Sequence, residues 1–227
     1  MGERGGWRRR FVRRWWASHN DSRRIRRALT EVLGELDSTP ERGLNLGCGE
    51  ERLHPKLVHV DRVRSGAAEV QADAHCLPFP GDSFRVIVSQ ETVEHLEDPF
   101  AALREMARVL RPGGALYLQV PFVLGYHPGP EDYWRFTGAG VRRLLGQAGL
   151  RVEKLEPALG AGTGLYRVAV EFVAGAAARL VPAAYQPVKG VASLLCFPLR
   201  ALDGPLHAGP QRDRIPGGYL VLGRKPD

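Results

Sequence analysis

The chain has 227 residues, of which 44% are hydrophobic and 25% charged, proportions typical of a folded globular domain with one substantial core. Its net charge of +7 is unevenly placed: residues 1–27 hold ten arginines against Glu3 and Asp21, so the other 200 residues carry about −1. Three cysteines without metal-ligand spacing and the lack of a long apolar run argue against a disulfide scaffold, a metal site and a transmembrane segment, and predict a cytoplasmic protein.

Residues 1–20 form a basic, aromatic N-terminal arm. Trp7, Phe11 and Trp15 recur at every fourth position, and arginines occupy most of the remaining positions. A helix over 7–16 with this pattern is suited to an anionic membrane surface, here the inner membrane face. Two alternatives stay open: the arginines and tryptophans grip RNA, or the arm folds onto its own domain or stays disordered.

The body of the chain alternates predicted strands and helices. Helices are expected at 25–36, 99–110 and 139–148, and strands at 44–46, 57–61, 69–73, 84–89, 115–120, 150–153 and 217–223. This order predicts an α/β fold with a doubly wound parallel sheet and helices on both faces. Three further segments follow the arm: a core over 21–160, an insertion over 161–214 and a final strand of the core within 215–227.

The insertion breaks the alternating pattern. A helical stripe that is apolar almost all round is followed by several prolines, which predict short helices with an unusually apolar surface. The stripe consists of Leu165, Val168, Ala169, Phe172, Val173, Ala176 and Leu180.

A glycine loop, Leu46-Gly47-Cys48-Gly49, follows the first strand. Arg52 stands where a dinucleotide-binding loop has its third glycine, and the lysine of a phosphate loop is absent. Asp61 and Asp73 end the next two strands, at the sheet edge that lines the ligand crevice. A carboxylate can accept both ribose hydroxyls, and Asp73 with the Ala74 amide can meet the amino edge of adenine. The pattern therefore favours a nucleoside ligand without phosphates.

Further motifs follow in a fixed order, namely Leu77-Pro78-Phe79, Asp82-Ser83-Phe84, 94–99 and 108–114. Over residues 42–158 the chain resembles the class I methyltransferases that use S-adenosylmethionine (SAM), of the methyltransferase type 11 kind. The resemblance implies a transferase with a Rossmann-like sheet of about seven strands, the last antiparallel. Asn45 departs from the aspartate of most members. The cofactor-binding residues implied are Leu46, Gly47, Cys48, Gly49, Asp61, Arg62, Asp73, Ala74, Ser89, Gln90 and Glu91.

Residues 125–137 resemble a subgroup of these enzymes that is often linked to polysaccharide and glycolipid assembly. The resemblance implies a loop that covers the cofactor and helps to form the acceptor pocket through Asp132, Tyr133, Trp134 and Arg135. For Tyr133 and Trp134, plain packing of the loop is an equal alternative. Thr137 is expected to cap the following helix.

The sequence predicts two candidates for a catalytic base, His127 and His95, both beyond strand ends on the crevice side. His95 could instead fix the loop by a hydrogen bond. Glu91 and Glu94 could balance the sulfonium charge of SAM, with solvated acids at a helix end as an equal alternative. The leading hypothesis is methyl transfer to a small-molecule, glycan or glycolipid acceptor at the cytoplasmic membrane face. The alternatives are an RNA methyltransferase that uses the arm and an inactive assembly partner with the same fold.

Overall fold

A computed structural model describes residues 21–227, so the predicted arm over 1–20 lies outside the described residues. Its centre is a seven-stranded sheet with the spatial order β3-β2-β1-β4-β5-β7-β6. The strands are β1 (Gly43–Leu46), β2 (Leu57–Asp61), β3 (Val70–Gln71), β4 (Phe84–Gln90), β5 (Leu110–Pro121), β6 (Arg151–Leu159) and β7 (Gly218–Arg224).

Six α-helices surround or extend the sheet in the described part of the chain. They are α1 (Arg23–Asp37), α2 (Pro99–Val109), α3 (Gly138–Gln147), α4 (Ala161–Leu180), α5 (Tyr185–Cys196) and α6 (Asp203–His207). The apolar residues of α1 pack against one face of the sheet, and those of α2 and α3 pack against the other. The prediction of an α/β sheet with helices on both faces is confirmed.

The sheet direction places the candidate site. β1 pairs in parallel with β2 and β4, and β4 pairs in parallel with β5. β7 lies between β5 and β6 and is antiparallel to both, as the family resemblance implied. The carboxyl ends of β1, β2 and β4 therefore meet at one edge, where a ligand crevice is expected.

Two strands are longer than the sequence suggested. β5 starts at Leu110 because the expected break over 111–114 stays in the sheet: Gly113, at φ 68°, donates its N–H to the Lys225 carbonyl. The irregularity is a register shift opposite Phe84 and Val86. β6 continues to Leu159 because β7 pairs with it along most of its length. β3 is shorter than predicted.

The segment between β6 and β7 is helical, but the prediction of short helices is wrong for α4, which has 20 residues, and holds only for the shorter α5 and α6 that follow the first prolines. Asp203 holds the start of α4: its carboxylate accepts the Gly160 and Thr163 N–H groups. The predicted apolar stripe lies on the exposed face of α4, which confirms the expected apolar surface. Phe172 is 75% exposed and Leu180 85%, whereas Tyr166 and Val170 on another face are buried against Ala192 and its neighbours. The helix is apolar nearly all round, so periodicity alone could not select its buried side.

In the described part of the chain, none of the helices combines the length and the apolar character that a bilayer span requires.

Candidate functional site

The glycine loop after β1 is tightly constrained. Gly47 and Gly49 have φ values of 72° and 53°, a region that favours glycine. A Cβ on Gly47 would lie 2.1 Å from Thr92 Oγ1, whereas one on Gly49 would point into open space. The buried Asn45 side chain donates to the Glu51 carbonyl and so closes the loop from within. Gly47 packs the loop against the end of β4, and Gly49 leaves room for a ligand.

Asp61 ends β2 beside this loop. Its carboxylate accepts N–H groups from Gly49, at 2.8 Å, and from Val63, at 3.0 Å. These two bonds fix the carboxylate and leave acceptor positions for the two hydroxyls of a ribose. Arg62, the next residue, is exposed, and its carbonyl accepts from Gln71. The predicted pairing of glycine loop and acid is therefore present in space.

The segment after β3 is fixed to α2. Asp73 accepts the backbone N–H of His75 and contacts its ring nitrogen, and these bonds lower the pKa of the Asp73 carboxyl. Ala74 is buried beside it. Glu105 of α2 accepts the Leu77 N–H at 2.8 Å. The stretch that the sequence assigns to adenine therefore has a fixed backbone and an exposed carboxylate.

The end of β4 brings Ser89, Gln90 and Glu91 to the crevice. Ser89 is fully buried, and its hydroxyl has no hydrogen-bond partner among the described residues. The side-chain amide of Gln119, on β5, accepts a hydrogen bond from the Gln90 side chain and donates one to the Glu91 carboxylate. Glu91 has a positive φ of 48°, an uncommon backbone state that is often found at functional sites.

The loop over 122–137 carries a charged clamp. Arg135 binds the Asp132 carboxylate with both terminal nitrogens, at 2.5 and 2.6 Å, and also donates to the Gly125 and Leu124 carbonyls. The Asp132 carboxylate accepts the His127 backbone N–H and lies 3.2 Å from His127 Nδ1. Arg135 and His127 together hold the pKa of Asp132 at about 2, against the effect of burial, which would raise it. Asp132 and Arg135 thus orient His127.

Glu94 lies where this loop meets β4. Its side chain is fully buried, and neither carboxylate oxygen has a hydrogen-bond partner among the described residues. The expectation that Glu94 could be a solvated acid is wrong, because the backbone N–H groups of Tyr133 and Trp134 bond its carbonyl and bring the loop over it. Burial raises the pKa of Glu94 to about 7. Glu91, partly buried near by, has its pKa raised to about 7 by burial and by the charge of Glu94.

The two candidate bases lie together at Glu94. The His95 and His127 rings are 5.1 Å apart and nearly perpendicular, and their Nε2 atoms lie 3.8 and 3.5 Å from Glu94 Oε1. His95 Nδ1 is 2.6 Å from the Glu131 carbonyl, the loop-fixing bond that the sequence offered as an alternative. Tyr133 and Trp134 are 51% and 37% exposed, and the Trp134 indole donates to the Leu96 carbonyl. Trp134 therefore has a packing role, while Tyr133 remains available to an acceptor.

Sequence reasoning missed two contributors. Thr92 explains why position 47 must be glycine, because its side chain fills the place of a Cβ. A single threonine in a loop belongs to no sequence motif that could have identified it. Arg167 of α4 is nine-tenths buried, and its charge opposes the raised pKa of Glu91. It was hidden within an apolar helix, although one arginine in such a helix could have indicated a polar site near by.

The residues present fit SAM. The open Gly49, the fixed Asp61 carboxylate and the exposed Asp73 carboxylate offer a nucleoside site without a lysine for phosphates. Glu91 and Glu94 follow the end of β4 at the same edge of the sheet, and their carboxyl groups could balance the charge of a sulfonium. These groups would hold the cofactor, whose activated methyl supplies the electrophile.

Comparison with known proteins points to methyltransferases. Residues 52–118 match the family described as a methyltransferase domain. The chain is 29% identical, over 144 residues, to a ubiquinone biosynthesis O-methyltransferase of Parvibaculum lavamentivorans, covering 56% of each chain. It is 40% identical over 94 residues to the 27-O-demethylrifamycin SV methyltransferase of Amycolatopsis mediterranei, covering 38% of this chain and 34% of that one. The chain thus spans about half or less of the length of these curated relatives.

Solved structures share the fold at low sequence identity. The cyclase SpnF superposes with a TM-score of 0.54 at 17% identity, over 89% of this chain and 80% of that one. A phosphoethanolamine N-methyltransferase of Haemonchus contortus, solved with SAM, gives a TM-score of 0.54 at 13% identity, over 88% of this chain and 53% of that one. Because the fold hosts more than one reaction, these likenesses support the architecture alone.

Together, the methyltransferase domain matched over residues 52–118, the ordered motifs and the seven-stranded sheet support a class I SAM-dependent methyltransferase, with S-adenosylmethionine as its cofactor.

Proposed function

We propose that the protein transfers the methyl group of SAM to a hydroxyl oxygen of a small-molecule, glycan or glycolipid acceptor. The observation that carries this proposal is the cluster of Glu94, His95 and His127 beside the cofactor loop, covered by residues 125–137. A hydroxyl must lose its proton as it attacks the methyl group, and this cluster offers proton-accepting atoms at the same edge of the sheet as the cofactor loop. Both curated relatives are named as enzymes that methylate oxygen, which supports the same choice.

Different residues of the chain would bind the cofactor, hold the acceptor and orient the His127 ring. The cofactor loop with Asp61 would orient SAM, and the loop over 125–137 would hold the acceptor oxygen in line with the methyl group and exclude water. Asp132 and Arg135 keep the His127 ring in place, so that its Nε2 faces Glu94. Tyr133, half exposed at the rim, is positioned to contact the acceptor.

The activity is tested with SAM carrying a labelled methyl group and lipid and polysaccharide extracts of the native cell. We expect label in an extract component, and a large loss of transfer in His127→Ala. His54→Ala is the control, because His54 pairs with Asp37 on the surface, away from the cluster. SAM binding without transfer to any extract would favour the inactive assembly partner, and transfer to RNA alone would favour the RNA enzyme.

We further propose that the enzyme works on the inner membrane face. The apolar side chains exposed on α4 and α5 support this placement, among them Phe172, Leu180 and Leu195, which are 75%, 85% and 75% exposed. Exposed apolar groups of this size on neighbouring helices suit a lipid interface. The basic arm predicted from the sequence would add attraction to anionic headgroups.

Vesicle co-sedimentation tests the placement. The wild type should bind anionic vesicles, and binding should fall when Phe172, Leu180 and Leu195 become serine, or when Trp7, Phe11 and Trp15 do. Val63→Ser is the control, because Val63 is 64% exposed on the loop after β2. Equal recovery with anionic and neutral vesicles, or no binding, would refute the proposed membrane placement.

A further inference from the structure

When Glu94 is ionised and both imidazoles are neutral, Glu94, His95 and His127 present three electron-pair donors to one another. His95 Nδ1 lies 2.6 Å from the Glu131 carbonyl, which can only accept, so Nδ1 carries the proton and Nε2 presents a lone pair. That Nε2 points at Glu94 Oε1, 3.8 Å away. An imidazole lone pair that faces a carboxylate needs a proton or a metal ion between them, and three converging donors suit a metal ion better than one proton.

His127 has the same arrangement. Its Nδ1 lies 3.2 Å from both Asp132 Oδ2 and the Gly125 carbonyl, which are acceptors. The neighbouring Arg135 Nη2 uses its two hydrogens on those same two oxygens, at 2.6 and 2.9 Å, and does not need Nδ1 as an acceptor. Nδ1 therefore donates, and Nε2 turns its lone pair toward Glu94 Oε1 at 3.5 Å.

The burial of Glu94 makes a bound cation more necessary. Glu94 is 0% exposed, and both its oxygens as well as His127 Nε2 have no hydrogen-bond partner among residues 21–227. Unpartnered polar atoms at such depth are costly, and they are uncommon in folded proteins. One donor atom from each of the three residues lies within 4.8 Å of the others.

We propose that Glu94, His95 and His127 bind one divalent transition-metal ion, with zinc as the best match. Two imidazole nitrogens and one glutamate oxygen, with a fourth position left open, are the donor set of many catalytic zinc sites. Each ring donates its other N–H to a carbonyl or carboxylate, the outer-shell arrangement that orients metal-bound histidines.

The distances fit with a small contraction. Zinc bonds of about 2.0–2.1 Å place tetrahedral donors roughly 3.3 Å apart. The two distances to Glu94 Oε1, 3.5 and 3.8 Å, are near this value, and rotations of the two imidazoles would bring the remaining donors together. The charge also balances, because Glu94 and the nearby Glu91 offset the ion, while Asp132 and Arg135 compensate each other.

The sequence predicted no metal because His127 lies 32 residues from His95 and no short ligand motif joins them. The open position would bind the acceptor oxygen and make its hydroxyl more acidic, and the proton would leave to solvent as the methyl group is transferred, so that with the ion bound the three residues would act as ligands and not as the base. This part deepens the proposed methyl transfer and rests on it. The binding of the ion itself does not, and it can be measured without SAM or an acceptor.

The test uses the full chain with no histidine tag, treated with a chelator and then loaded with Zn²⁺ or Co²⁺. We expect one equivalent of metal per chain by elemental analysis after gel filtration, and for Co²⁺ visible bands of a four-coordinate nitrogen and oxygen site. The absence of a thiolate charge-transfer band would separate this site from binding by the free Cys48, Cys76 and Cys196.

Variants assign the ligands. Glu94→Gln and His127→Ala should each abolish the stoichiometric site, and Asp132→Asn should weaken metal affinity by about 10–100-fold. His54→Ala is the matched control, because it removes a carboxylate-paired histidine elsewhere and should bind metal like the wild type. Thermal unfolding checks folding, and His127→Gln replaces Glu94→Gln if the latter does not fold.

A wild type without stoichiometric metal, or a site that survives both ligand variants, would overturn the proposal. Calorimetry with S-adenosylhomocysteine on the same samples keeps the two proposals separate. Metal binding without nucleoside binding would contradict the proposed methyl transfer alone, and nucleoside binding without metal would contradict the metal site alone.

Discussion

At the scale of single residues, Gly47 shows how a backbone position is determined by one neighbour. Its φ of 72° and the 2.1 Å approach of a Cβ to Thr92 Oγ1 both exclude a side chain. Gly47→Ala should lower the free energy of unfolding by about 1–3 kcal/mol and weaken nucleoside binding, because the loop must move away from β4. Chemical denaturation and calorimetry measure the two effects.

Gly34→Ala is the matched control for this change. Gly34 lies within α1, and a Cβ there meets nothing within 4 Å. The substitution should raise the free energy of unfolding by about 0.5–1 kcal/mol, since alanine is the better helix former. If Gly47→Ala were as stable as the wild type, the close packing of Gly47 on Thr92 would be wrong.

The planar guanidinium of Arg135 makes a bidentate pair of hydrogen bonds that a lysine side chain cannot make. It spans both oxygens of Asp132 and two loop carbonyls. Arg135→Lys should destabilise the protein by about 1–3 kcal/mol and speed hydrogen exchange over 125–137, because the planar donor pair is lost. Arg104→Lys, on the exposed side of α2, should change neither. Unaltered exchange in Arg135→Lys would show that the clamp does not order the loop.

The proximity of the glycine loop and Asp61 could be predicted from the sequence, whereas that of Glu94 and His127 could not, for a physical reason. Gly47, Gly49 and Asp61 lie within one short segment, the loop after β1 and the end of the neighbouring strand β2. Residues that are close in sequence are therefore also close in space. Glu94 and His127 meet only because the loop after β5 folds back, with Tyr133 bonded to the Glu94 carbonyl. Periodicity and motif spacing contain no such long-range information.

At the scale of elements, Glu105 joins α2 to the segment that follows β3. Its carboxylate accepts the Leu77 N–H and two donors of Arg108, which in turn binds the Leu77 and Phe79 carbonyls. The bonds from Arg108 are the main cause that lowers the pKa of Glu105 below its ordinary value of 4.5. The carboxylate form is therefore favoured by the folded state.

The lowered pKa of Glu105 predicts how its contribution to the free energy of unfolding depends on pH. Because the pKa of Glu105 is lower in the folded than in the unfolded state, its contribution is present above about pH 4.5 and is lost as pH falls through the folded pKa. Glu105→Gln should be about 1–2 kcal/mol less stable than the wild type at pH 7, and the difference should shrink in acid. Denaturation at several pH values measures it, with the exposed Glu97→Gln as control. A difference that does not vary with pH would contradict the account.

Element boundaries in the core were predicted closely, and those near the C-terminal half less so. β1, β2 and β4 are short apolar runs between clear turn residues, which the sequence displays directly. β5 and β6 gain their extra length from pairing with β7, a tertiary contact. The buried side of α4 could not be predicted from the sequence, because nearly every side of that helix is apolar and only the contacts with α5 and the following turn select it.

At the scale of the whole molecule, the sheet order explains why residues far apart in sequence form one site. β1, β2 and β4 end at one edge, where the glycine loop, Asp61 and Glu91 converge. β5 ends beside them and delivers the loop that carries His127 and Asp132. The helices between β6 and β7 add Arg167 to the same region while exposing an apolar surface. The proposed cofactor site, the proposed acceptor loop and the exposed apolar surface therefore come from successive segments of the chain.

The central claim is that the loop over 46–49 and Asp61 bind the SAM nucleoside, and titration calorimetry with S-adenosylhomocysteine tests it most directly. The account predicts one site per chain with micromolar affinity, weakened about 10–100-fold in Asp61→Ala through loss of hydrogen bonds to a charged acceptor, and unchanged in Asp37→Ala on the surface. A folded wild type that binds no S-adenosylhomocysteine, or an Asp61→Ala variant that binds it equally well, would contradict the claim.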